Sequence, residues 1–211
     1  MPARLLYVMD PMCSWCWGFS PVFTQLAEQA QAHGVATHLV VGGLRPGTRH
    51  ALDAGSRRTI LGHWQAVTER TGQRFSFDGA LPEGFVYDTE PASRALVAAR
   101  QLEAARAPRL LQAIQQAFYL QGQDVTRAGA LVELAVAAGY AREPFAEAFD
   151  SPALWEATAA DFRWATDLGI AGFPTLLAER DGQLALLTNG YQPLAALEPL
   201  LQRWLARVSH D

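Results

Sequence analysis

The sequence is poor in cysteine, in charge and in long apolar runs, and each shortage excludes something. Only two cysteines occur in 211 residues, Cys13 and Cys16. A bridge between them would close a tiny loop and staple little structure. Structural zinc usually takes four ligands. No second cysteine pair exists, and His33, His38, His50, His63 and His210 lack zinc-finger spacing. No metal and no organic cofactor is therefore expected. Charged residues make up 18% of the chain, with a formal net charge of -4 and no long Lys/Arg run. A nucleic-acid groove needs clustered positive charge, so nucleic acid is not an expected partner. No stretch approaches the length of a membrane span. The apolar run Leu5-Leu6-Tyr7-Val8-Met9 stops at Asp10-Pro11, too soon for the core of a signal peptide. The expectation is a cytoplasmic protein with no membrane partner.

Half of the residues are hydrophobic, enough for a real core. Both cysteines lie in the run Pro11-Met12-Cys13-Ser14-Trp15-Cys16-Trp17-Gly18. A single CxxC in a cytosolic chain reads as a redox pair when a strand precedes it and a helix follows. Both flanks are legible. Residues 4–9 form a short run of strand formers. From Ser14 to His33, Val22, Phe23, Leu26, Ala27 and Ala30 recur at helical spacing. Pro21 falls inside this helix and lacks the amide that would bond toward Trp17, which predicts a kink. Val35 to Val41 is a second strand, read as central and buried. Its βαβ connection predicts a right-handed crossover and a parallel pair.

The chain then turns helical. Segments are expected over 56–71, 88–105, 108–120, 126–138, 143–149 and 152–168, with an irregular stretch at 72–86. Strand signal returns at 174–179. Asp181-Gly182 predicts a hairpin turn into an antiparallel strand at 184–188. A final amphipathic helix covers 193–208, with Leu197, Leu200, Leu201 and Leu205 as its apolar positions. The order is β-α-β, a helical block, then β-β-α. The expected organisation is one α/β unit from 1–43 and 171–211, with 44–170 as an all-helical insertion.

At the N-terminus of the first helix, unpaired amides and the positive end of the helix dipole favour a Cys13 thiolate. Cys13 is expected to be exposed and to attack. Cys16, one turn later and more buried, is expected to resolve the mixed disulfide. Ser14 and Trp15 can tune the pair, with Trp15 facing outward. Trp17 and Phe19 suit either an apolar surface beside the site or ordinary core packing. A second signal is Gly172-Phe173-Pro174-Thr175 before the third strand. A proline there costs no ladder bond if its nitrogen faces a substrate groove.

These motifs resemble the cytoplasmic branch of the DsbA-like thioredoxin superfamily, including the FrnE-like proteins and predicted protein disulfide isomerases. The resemblance rests on residues 7–18, on Gly172-Phe173-Pro174-Thr175 before a hairpin, and on the helical block between them. It implies a thioredoxin-like fold with a helical insertion. It also implies Cys13 as nucleophile, Cys16 as resolving cysteine and Pro174 as a cis-proline facing them. Phe173 and Thr175 would then shape a peptide groove. Two positions depart from the family: Phe173 stands where Val or Thr is usual, and Ser14-Trp15 replaces the Pro-His of the periplasmic oxidant.

The expected function is thiol–disulfide exchange, as a reductase or isomerase of protein or peptide disulfides, with glutathione as a further candidate partner. One alternative is a glutathione-dependent isomerase or transferase of the kappa or hydroxychromene-carboxylate isomerase type, against which the retained Cys16 speaks. The other is a chaperone-like binding module. Monomer and homodimer both stay open.

Overall fold

The computed structural model describes residues 3–208. Four strands form one mixed sheet: β1 (Arg4–Met9), β2 (Ala36–Val41), β3 (Thr175–Arg180) and β4 (Gln183–Asn189), in the order β2-β1-β3-β4. β1 runs parallel to β2 and antiparallel to β3, and β4 is antiparallel to β3. The parallel pair follows from the crossover helix α1 (Ser14–Ala32), and the antiparallel pair from the Asp181-Gly182 turn, where both residues take positive φ. The helical block is α2 (Ala54–Thr71), α3 (Glu90–Glu103), a short 3-10 turn (Ala104–Arg106), α4 (Ala107–Tyr119), α5 (Ala128–Ala137), α6 (Arg142–Asp150) and α7 (Pro152–Asp167). Helix α8 (Leu194–Val208) is the last element among the described residues.

Alternation along β1 divides the core. Leu5, Tyr7 and Met9 pack with Phe19, Phe23 and Leu26 of α1, and the Tyr7 and Phe23 rings stack at 4.0 Å. Leu6 and Val8 face the other way, toward Val40, Leu177 and Ala165 of α7. Leu197, Leu201 and Leu205 of α8 are buried with the first group. Trp17 and Phe19 are core residues, at 5% and 0% exposure.

One expectation is overturned: β2 is an edge strand. Its outer edge is covered by an ion pair from the helical block. Arg100 of α3 donates to the Leu39 carbonyl (2.6 Å) and to both oxygens of Asp161 on α7 (2.7 and 3.0 Å). Asp161 in turn accepts from the Val41 amide (3.1 Å). A charged pair thus does for β2 what another strand would have done. His38 lies in the same field. Burial first, then the Arg100 and Arg4 cations, push its pKa down to about 4.

The missing amide at Pro21 is compensated locally. The Trp17 carbonyl accepts from Ser20 Oγ (2.9 Å) and from Gln73 Nε2 (3.0 Å) of the segment after α2. Gly18 allows that segment's helix to come close. A Cβ there would sit 2.5 Å from Val67 Cγ1.

Candidate active site

The site forms where β1 ends. Asp10 and Pro11 stop the strand, and the Cys13 amide bonds back to the Asp10 carbonyl (3.0 Å). This turn places Cys13 as the N-cap of α1, so the helix amides that have no partner in the first turn surround it. Cys16 lies one turn on and is completely buried. Both thiols are free. Burial, followed by the hydrogen bond and charge of Cys13, pushes the Cys16 thiol well above its ordinary range. Cys13 itself is only 6% exposed. That is less than a helix start implies, because other chain segments cover it.

One cover is the loop before β3. The Phe173-Pro174 peptide is cis, and the Cys13 thiol points to the Phe173 carbonyl at 3.8 Å. Cys13, Cys16, Phe173 and Pro174 thus come together although 160 residues separate the two motifs in sequence. Phe173 is half-buried beside a cleft of about 310 Å³ that also takes in Leu44, Ile170 and Ala171. The ring fits only because residue 42 is glycine. A Cβ on Gly42 would lie 2.0 Å from Phe173 Cε1.

Trp15 is half-buried and meets Tyr191 at 6.3 Å between ring centroids, and Ser14 is half-buried at the helix start. Thr175 departs from expectation. It is 1% exposed, and its hydroxyl is engaged by the Gly172 carbonyl (2.9 Å) and Asn189 Oδ1 (3.1 Å). Its side chain fixes the loop from within and does not line a groove.

The other cover comes from the helical block, and sequence reading missed it. Tyr87 donates to the Met12 carbonyl at 2.5 Å. Asp10, read only as a strand stop, is wholly buried. It accepts from the Met12 amide (2.8 Å) and the Leu44 amide (2.7 Å). Burial raises its pKa to about 6, against the lowering effect of those amides and of the Thr89 hydroxyl. Tyr7 is buried beside the cysteines, and burial followed by the Cys16 and Cys13 charges raises its pKa. The Asp-Pro-Met spacing before the CxxC was the one available signal for Asp10. Nothing local pointed to Tyr87. Among the described residues no group of three or more His, Cys, Asp or Glu side chains could hold a metal ion.

Comparison with known proteins agrees with this fold. Residues 4–202 match the DSBA-like thioredoxin domain family. A candidate protein disulfide isomerase from Nitrosomonas europaea is similar at 39% identity and TM-score 0.90, with both chains fully covered. The cytosolic disulfide reductase DsbM from Pseudomonas aeruginosa is similar at 31% identity and TM-score 0.76, over 98% of this chain and 97% of that one. A structure of the same reductase with GSH matches at 30% identity and TM-score 0.75, with the same coverage. In sequence, the ClpXP adapter protein SpxH of Halalkalibacterium halodurans is 23% identical over 97% of this chain and 68% of its own length.

Proposed function

The chain belongs to the DSBA-like thioredoxin domain family and is a thiol–disulfide oxidoreductase, and from that premise we propose that it reduces or isomerises protein and peptide disulfides in the cytosol. The carrying observation is the position of Cys13, which caps α1 beside the Phe173 carbonyl with Cys16 sealed one turn behind. The likeness to a reductase named as cytosolic supports the location and the reducing direction. Membership of the cytoplasmic, FrnE-like branch of the superfamily is part of this proposal. The division into a sheet unit of 1–43 and 171–211 around a helical lobe of 44–170 belongs to the same reading.

Cys13, as thiolate, attacks one sulfur of a client disulfide. That S–S bond breaks, and the departing client thiolate takes up a proton. Cys16 then loses its proton and attacks Cys13 of the mixed disulfide, releasing the second client thiol and forming the Cys13–Cys16 bond. Two electrons have passed to the client. Two glutathione thiols, oxidised to one glutathione disulfide, return the enzyme to its dithiol. The known complex of the similar reductase with GSH supports that choice of donor. The complete burial of Cys16, against the 6% exposure of Cys13, supports Cys13 as the sulfur that attacks first. Phe173, Pro174, Ser14 and Trp15 form the surface a client would meet, and Thr175 holds the loop under it.

The test is equilibration in graded glutathione buffers, read by alkylation and mass. A reversible two-electron Cys13–Cys16 couple near about -270 mV supports the reductase. A value near about -120 mV points to an oxidant. Cys13→Ala abolishes turnover of a protein disulfide; turnover retained in that variant overturns the assignment.

A further inference from the structure

A second concavity lies away from the thiols, between α1 and α4. It measures about 780 Å³ and is bounded also by the Gln73-Arg74 segment. This is within the size range of ligand clefts. Its floor is apolar, with Trp17, Leu111 and Leu120 among its residues. Two features are unusual. Gln115 lines it at 1% exposure, yet neither its amide nitrogen nor its carbonyl oxygen has a hydrogen-bond partner. A buried, unpartnered carboxamide is costly and rare. The second feature is charge. Arg74 and Arg109 line the cleft, and no lining residue is acidic. Arg74 is exposed and pairs with no carboxylate among the described residues. Among the described residues Arg109 donates to the Ala137 carbonyl alone, at 3.3 Å. This is a positive, acid-free cleft on a chain whose net charge is -4.

We propose that this cleft binds an extended, carboxylate-bearing peptide segment of a client protein. The match is group by group. Gln115 carries one donor pair and one acceptor, the complement of a peptide unit's C=O and N–H. The arginines suit carboxylates, and the floor takes aliphatic side chains. The choice of a client segment rests on the redox reading and on geometry. Trp17 lies four residues, one helical turn, beyond Cys13 on α1, and Ser20, Pro21 and Thr24 continue the cleft along that helix. A client chain engaged at Cys13 has the cleft within a few residues' reach. The same groups, amide plus carboxylate, occur in glutathione, so the test separates the two.

The probe is a fluorescein-labelled hexapeptide of alternating leucine and aspartate, free of cysteine. It is titrated by anisotropy into the folded Cys13→Ser/Cys16→Ser protein, so that no redox step enters. Saturable binding is expected, weakened on the order of tenfold by Arg74→Glu and by Gln115→Leu separately. The same peptide with lysine for aspartate should not bind, and millimolar reduced glutathione should not displace the probe. Gln115→Leu is expected to keep or raise the melting temperature, since it removes unpaired polar atoms without opening a cavity. Absence of saturable binding overturns the proposal. So does equal binding of the lysine peptide, or unchanged affinity in both folded variants. Competitive displacement by glutathione reassigns the cleft to the tripeptide and overturns the client reading. None of these outcomes touches the Cys13–Cys16 couple, which the glutathione-buffer equilibrium tests independently.

Discussion

Two parts of this molecule meet at the cysteines, and they specify the site in different ways. The corner made by β1, α1 and the Phe173-Pro174 loop supplies the reacting groups from short, recognisable runs of sequence. The helical block supplies Tyr87 and the Thr89 hydroxyl, single residues with no local motif around them. The first part decides which atoms react. The second decides how dry and how polar their surroundings are. Cys16 and Asp10 owe their shifted ionisation first to burial, and that burial is complete only with both parts in place.

The largest way to break this arrangement is at the seam between the parts. Asp161 sits on α7 and binds both Arg100 and the free edge of β2. The pair is about 15% exposed on each side, so Asp161→Ala strands a mostly buried cation and the Val41 amide together. The expected loss is about 3–5 kcal/mol in urea unfolding. Removing Arg100 as well should recover part of it, because the stranded charge disappears. An Asp161→Ala loss below about 1 kcal/mol would show that the helical block is held to the sheet by apolar packing alone.

The edge position of β2 also shows where sequence reading stops. Its run Leu39-Val40-Val41 has the composition of a central strand. Periodicity reports how buried a strand is, and not what buries it. Here the cover is a helix-borne ion pair whose Arg100 lies 61 residues from Leu39 and whose Asp161 lies 120 residues from Val41 in sequence. By contrast, β1, the CxxC, α1 and the Asp181-Gly182 hairpin were legible because each depends on neighbours within a few residues. Thr175 marks the limit between these cases. Its nearness to Pro174 was visible, but the direction of its side chain depends on Asn189 across the hairpin. Gln115 was invisible for a like reason. Its helix is amphipathic, and the burial of that position depends on tertiary packing that no local pattern reports.

A second break is by pH, at Asp10. Its carboxyl has an ordinary value of 3.8 and a folded value of about 6. Between these values the unfolded chain is ionised while the folded one still holds the proton. Stability from this group therefore falls as pH rises through 4 to 6, and the penalty is fully present at pH 7. A shift of this size corresponds to roughly 3 kcal/mol. Asp10→Asn removes the dependence, although an amide satisfies the Met12 and Leu44 amides less well. Urea unfolding of both proteins from pH 4 to 7.5 checks this. Wild type should gain relative to Asp10→Asn as pH falls, and parallel curves would show that Asp10 is solvated when the site breathes.

The smallest effect sharpens the comparison within the reacting corner itself. Phe173 is the family departure beside Cys13, and its ring occupies the space a side chain on residue 42 would need. Gly42 has no positive φ to defend, so alanine can take up its backbone conformation and the penalty is purely steric. Gly42→Ala should cost about 1–3 kcal/mol by forcing the ring aside. It should also raise KM for a peptide disulfide more than it lowers kcat, since the thiols do not move with the ring. In a Phe173→Val background the ring is gone, and the same substitution should be nearly neutral. The double-mutant cycle then gives a coupling close to the whole single-variant cost. Additive effects would mean that glycine at 42 serves the backbone and not the ring. In that case the Phe173 position could change without residue 42 changing with it.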